Sequence, residues 1–249
     1  MRIFWVLLRR ELASFFLSLT GYVIIAAVAL LTGLSFVVLT MMVGSKPVTA
    51  PMTEMFYDTY FFWLILLLLS PVVTMRLFAL EKATGTFETL MTTPVGDAQV
   101  VAAKFSAAMI FYLVAWLPLF GCLFIVRYYT QQNAALDLPT VGGMYLGILL
   151  VGGLFISLGC FASSLTRSQM AAAMISFVLG MTLFSLGFLA KLAPTDALSS
   201  QVISYFSLFS QMDDFARGVV DTRAVIFYVT TTLLFLFLTL RVVESRRWK

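Results

Sequence analysis

The chain has 249 residues, of which 61% are apolar and 11% charged, with a mean hydropathy of +1.00 and a formal net charge of +4. Soluble domains are about half apolar and a quarter charged, so this composition excludes a water-soluble globular protein and points to one built in a bilayer. Histidine is absent, which removes the commonest general base and the commonest metal ligand.

The first stretch, MRIFWVLLRRELASFF, is expected not to be a signal peptide. Arg9, Arg10 and Glu11 interrupt it before a clean apolar segment can form. Arg2, Arg9 and Arg10 interleave with Ile3, Phe4, Trp5, Leu7, Leu8, Leu12, Phe15 and Phe16, so residues 1–20 read as an interfacial helix with its apolar side in lipid and its arginines toward headgroups. A cytoplasmic extension of the first span is the alternative. Six apolar runs follow, at 21–43, 60–80, 105–126, 141–165, 170–190 and 224–240. Each is close to the roughly 20 residues needed to cross the hydrocarbon. The predicted fold class is therefore all-α, a polytopic membrane protein with six transmembrane helices.

Six crossings put both termini on one side. That side, with Arg76 snorkelling to it from the end of the second run, carries eleven of the sixteen Lys and Arg; the other carries five. The positive-inside bias places both termini in the cytoplasm. The same bias accounts for the basic excess without nucleic acid, since no domain displays a basic groove. Cys122 and Cys160 lie inside apolar runs and read as small buried residues rather than ligands or redox groups.

The fourth run is rich in small residues, and Gly143 and Gly147 form a small-xxx-small pair suited to close helix packing. An internal contact and a dimer contact both fit. The outer loop, 194–223, is too long to be structureless. Val202, Ile203, Tyr205, Phe206, Leu208 and Phe209 follow helical spacing in it. In "DDFARG", Asp213 is expected as N-cap, Arg217 in the last turn and Gly218 as the stop. Asp221 can cap the final span.

Catalytic and energy-coupling chemistry is missing from the pattern. There is no Walker Gly–Lys–Ser/Thr signature, no Ser–His or Cys–His pair, and no charge near the middle of an apolar run. A secondary transporter would ordinarily carry intramembrane carboxylates or broken helices at mid-depth. Pro71 and Pro118 can kink their runs, but no acidic residue accompanies them. No catalytic residue, metal site or bound cofactor is expected in this chain.

One polar segment stands between the second and third runs: EKATGTFETLMTTPVGDAQVVAAKF, residues 81–105. Gly85 and Pro94 punctuate it. "TFETLMTT" can form two turns of helix, capped by Thr84 or Thr86, with Glu88 near its positive end and Phe87, Leu90 and Met91 on one face. Asp97 is expected to cap a second helix running into the third span. From the residues alone, this is either a connector resting on headgroups or an apolar face aimed at a cytoplasmic partner.

The segment resembles the loop between the second and third spans of type-2 ABC exporter permeases. Their pattern E-K-x-x-G-T-x-E-x-L-x-x-x-P-V is matched by Glu81, Lys82, Gly85, Thr86, Glu88, Leu90, Pro94 and Val95, with Lys104 entering the next span. "FARGVVDTRAVIFY" before the last span is similar to the gliding-motility and copper-processing branches. The resemblance implies a permease subunit of an ATP-driven exporter in the cell inner membrane. Two such chains would pair, as a homo- or heterodimer, and each would dock a separate ATP-binding cassette subunit that carries the ATP and magnesium. It also implies that 81–104 acts as the cytoplasmic coupling helix, with Glu81, Gly85, Thr86, Phe87, Glu88, Leu90, Met91 and Pro94 as its coupling residues. Membrane lipid is a further partner. The competing readings are a self-contained channel or secondary transporter, and a membrane anchor for a cytoplasmic partner.

Overall fold

The structure is a computed structural model that describes residues 2–43, 52–87, 96–130, 138–192 and 207–245. Of the expected coupling residues, Glu88, Leu90, Met91 and Pro94 lie outside these ranges, as do Val202, Ile203, Tyr205 and Phe206 of the outer loop. Among the described residues there is no strand.

In chain order the helices are α1 (Arg2–Phe16), α2 (Leu19–Val43), α3 (Met52–Asp58), α4 (Tyr60–Thr74), α5 (Ala79–Thr84) and α6 (Asp97–Ala115). Then come α7 (Leu117–Thr130), α8 (Leu138–Leu165), α9 (Gln169–Leu192), α10 (Leu208–Ala216) and α11 (Thr222–Ser245). Among the described residues six stretches are long and apolar enough to cross a membrane: Leu19–Met41, Tyr60–Thr84, Asp97–Ile125, Pro139–Leu165, Gln169–Gly187 and Thr222–Ser245. Helix is the form that satisfies every backbone N–H and C=O internally where no water can do so.

Two of these stretches are interrupted near the expected prolines. After Pro71, helix α4 ends at Thr74, and a turn over Met75–Phe78 leads into α5. The third stretch breaks at Trp116, and Pro118 stands in the first turn of α7, where a missing N–H costs little.

Helix α8 is the hub and the most buried of the six spans. It packs against α4, α6, α9, α10 and α11. At the end of the bundle where α3 and α10 meet α8, an aromatic cluster fills the core. Tyr57 and Phe62 have ring centroids 4.5 Å apart, and Phe62 and Trp116 5.5 Å apart. Two polar tips beside it are tied to backbone: Tyr57 donates to the Met144 carbonyl at 2.6 Å, and Trp63 Nε1 to the Tyr57 carbonyl at 3.1 Å.

The terminal caps differ in part from the sequence expectation. Ser207, not Asp213, caps α10, its Oγ accepting from the Ser210 N–H. The cap lies at Ser207 rather than Asp213 because Leu208 and Met212 are buried and extend the helix's apolar face. Gly218 ends this segment at φ 78°, and Asp221 Oδ1 accepts from the Arg223 N–H at 2.9 Å, capping α11. Arg217 sits just past α10 and pairs with Glu54 at 2.6 Å, which holds its pKa above the ordinary arginine value. Asp97 lies in the first turn of α6, while Gly96, in extended conformation, takes the N-cap position. The carboxylate still sits at the positive helix end.

Cys160 is buried and Cys122 half-buried, and both are free thiols.

Candidate functional site

At the end of the bundle opposite the aromatic cluster, four charged side chains from three helices converge. Glu81 sits in α5, Lys104 in α6, and Arg10 and Glu11 in α1. Lys104 Nζ lies 3.0 Å from Glu11 Oε1 and 2.9 Å from Glu81 Oε1. Arg10 Nη2 reaches the same two oxygens, at 2.7 and 2.9 Å. Two cations and two anions thus share a closed ring whose formal charge is zero. Lys104 is only 2% exposed, and its ammonium also lies 5.4 Å from the centroid of the Phe78 ring. Such a buried lysine is tolerable only because both carboxylates reach it. Burial lowers the affinity of Arg10 for its proton, but its hydrogen bonds and charge pairing with Glu11 and Glu81 outweigh this and raise its pKa above the ordinary value.

The sequence places Arg10 at the headgroups and gives Glu11 no role. The structure instead docks α1 along α6. Leu7 packs with Val100 and Ala103, and Phe15 stacks on Phe111 with centroids 4.9 Å apart. Ile3, Trp5 and Val6 remain exposed on the other side. Helix α6 begins at Asp97, where the sequence places the start of a helix running into the third span, and Lys104 lies within it.

The start of α5 is fastened to the hub. Ser163 Oγ, near the end of α8, accepts from the N–H groups of Phe78 and Ala79, each at 3.1 Å, and donates to the Met75 carbonyl at 3.3 Å. It does for α5 what an N-cap side chain would do, but from another helix. The buried Lys82 ammonium donates to the Ser164 carbonyl and lies 5.2 Å over the Phe87 ring. No local sequence signal marks Ser163 or Ser164, because their partners are more than eighty residues away.

Past α5, Gly85 holds φ 75°. Thr84 Oγ1 donates back to the Leu80 carbonyl at 3.0 Å and lies 2.9 Å from Thr86 Oγ1. Thr86 and Phe87 are helical and close the described part of the segment. Phe87 is buried against its own chain, 6% exposed, rather than turned outward as its place on the apolar face suggested. Its ring is the surface on which Lys82 rests, so intramolecular packing claims it.

At Gly85 a Cβ would meet nothing within 4 Å, so a substitution there is opposed by backbone conformation alone. Gly85→Val is expected to lower stability by about 1–2 kcal/mol, and Gly85→Asn by less. Thermal unfolding in detergent measures the difference, with membrane insertion unchanged in both. Equal unfolding temperatures for Val and Gly at this position would refute the conformational role.

The expected packing glycines face α10 and the turn after it in the same chain. A Cβ on Gly143 would lie 3.1 Å from Gly218 Cα, and one on Gly147 would lie 3.3 Å from Met212 Sδ. Of the two contacts that sequence left open, the structure occupies both glycines with the internal one.

The family described as ABC-2 family transporter protein matches residues 69–244, more than half of the chain. The chain belongs to the ABC-2 transporter family. A comparison with curated proteins finds no match. This ABC-2 protein is a multi-pass membrane protein and a permease subunit of an ABC transporter, the kind of subunit that works with an ATP-binding subunit. The family match spans Glu81 and Lys104 but not Arg10 or Glu11, so the charged ring joins the matched region to the N-terminal helix α1, which lies outside it.

Proposed function

We propose that this permease is an exporter subunit that pairs with a second permease chain. On this reading each chain receives its energy through the segment that begins at Glu81. Both termini and the charged ring face the cytoplasm, in the cell inner membrane, as the excess of Lys and Arg on that side supports. Each chain docks one ATP-binding cassette subunit, which holds the ATP and magnesium. Glu88, Leu90 and Met91 form the docking face. Leu90 and Met91 give apolar contact, and Glu88 gives register against a basic residue. The stretch "FARGVVDTRAVIFY" favours a place near the gliding-motility and copper-processing branches.

The observation that carries this reading is the ring of Arg10, Glu11, Glu81 and Lys104. It fastens the root of the docking segment to α1 and α6, while Ser163 fastens it to α8. A push on the segment is therefore delivered to the interfacial helix and to two spans together, not absorbed in a slack loop. Packed elements of this kind switch between discrete arrangements rather than deform continuously. Closure of the ATP-binding subunits would supply the push, and tilting of the spans would carry substrate outward.

The test is co-purification of the ATP-binding subunit with Leu90→Asp and with Glu88→Lys. Both variants are expected to insert normally and to lose the partner, Leu90→Asp by about tenfold or more in affinity. Full retention of the subunit by both, with ATP turnover still responsive to substrate, would sink the docking role.

A further inference from the structure

A cavity of about 550 Å³ opens beside the charged ring, between α1, α2 and the turn after α4. Its volume is within the range of small-molecule sites. Its polar wall holds Arg10, Thr20 and Arg76, and its apolar wall holds Val23, Ile24 and Val72. The charges in the wall do not cancel. Arg10 and Lys104 are matched by Glu11 and Glu81 inside the ring, and this leaves Arg76. Arg76 Nη1 donates to Thr20 Oγ1 at 2.7 Å, and among the described residues no carboxylate pairs with it. A guanidinium has five N–H donors in a planar fork, and among the described residues Thr20 is the one partner Arg76 has. The apolar wall continues onto the outer surface of the spans, where Val23 is 58% and Val72 36% exposed.

From this juxtaposition we infer that the cavity is a binding site for the phosphate of a membrane phospholipid, held by Arg76 and Thr20, with an acyl chain along Val23, Ile24 and Val72. Charge complementarity asks for an anion, and the apolar wall open to the lipid side asks for a hydrocarbon chain on the same molecule. Basic pockets between spans on the cytoplasmic side take lipid headgroups by this chemistry, and a guanidinium meets a phosphate through paired, charge-assisted hydrogen bonds. The inference rests on placing this end at the cytoplasmic face. A lipid seated there would brace the root of the docking segment from the membrane side, since Arg76 lies between α4 and α5.

The experiment is native mass spectrometry of the full-length chain released from nanodiscs containing phosphatidylglycerol, counting retained phospholipid. The unmodified chain is expected to keep a bound lipid, and Arg76→Gln to lower its retention by about tenfold or more. Arg241→Gln removes a guanidinium that pairs with Glu244 near the end of α11, well away from the cavity, and should retain lipid as the unmodified chain does. Ile24→Trp fills the apolar wall with Arg76 intact and should also lose the lipid. Retention in Arg76→Gln equal to that in Arg241→Gln would overturn the inference. So would displacement of the lipid by inorganic phosphate alone, because the acyl chain would then contribute nothing. The readout needs no ATP-binding subunit: Leu90→Asp should keep the lipid while losing the partner, so failure of one proposal is distinguishable from failure of the other.

Discussion

Lys104→Met is expected to destabilise the permease by about 3–5 kcal/mol, the usual consequence of removing one member of a buried charge cluster. Methionine keeps most of the lysine's apolar stem, so the effect reports charge rather than lost volume. Without the ammonium, Glu11 Oε1 and Glu81 Oε1 face one another with Arg10 alone between them, and the Arg10 side chain is 50% exposed and screened by water. Two carboxylates in that position repel, and α1 is pushed from α6. The thermal midpoint in detergent should fall by on the order of 10 °C, and substrate-responsive ATP turnover should be lost with it. Adding Glu81→Gln to Lys104→Met removes the repelling charge, so the double variant should be more stable than the sum of the two single changes predicts. Strict additivity, or an unchanged midpoint in Lys104→Met, would show that the ring does not hold α1 in place.

Gly159→Val should be nearly as damaging, for a steric reason. A Cβ there would collide with the Thr74 side chain, lying 2.6 Å from Thr74 Cβ. Thr74 cannot swing away cheaply: it is fully buried, and its Oγ1 donates to the Ser70 carbonyl at 2.7 Å. Helices α4 and α8 must separate instead, at about 1–3 kcal/mol or more for the overpacking. Gly152 makes the same demand on α6, since its Cβ would lie 2.6 Å from Tyr112 Cζ. Gly153, one residue on, is the internal control. Its Cβ would stand 3.6 Å from Thr232 Oγ1, an ordinary contact. Gly153→Ala should therefore be neutral or slightly stabilising, since alanine favours the helix. The measurement is the yield and unfolding midpoint of monodisperse protein. Equal behaviour of Gly153→Ala and Gly159→Val would refute the close-approach argument.

Hydrophobic length made the spans legible, and their ends were less so. The expected run 224–240 became Thr222–Ser245 because a helix need not stop where hydrocarbon stops. The helix running from Asp97 into the third span is legible, but the pairing of Lys104 inside it is not, because one partner, Glu11, is 93 residues away in sequence. Local chemistry behaved better where it is local. Asp221 caps α11 as its position suggests, and the positive φ of Gly85 is where a turn-forming glycine was read. Asp213 lost the cap to Ser207 because buried Leu208 and Met212 extended the helix, and tertiary burial outweighs a capping preference. The glycine pattern of the fourth span announced close approach. It did not name Thr74, Tyr112 or Phe215, which arrive from other parts of the chain.

The long sequence separation between Glu11 and Lys104 also sets an order of assembly. While the ribosome is still making the first two membrane segments, α1 already exists but the residue that anchors it does not. The N-terminal helix therefore cannot close this ion pair until Lys104 has been synthesised. A bulky N-terminal fusion would act on this late step, trapping chains that are fully inserted but not yet closed.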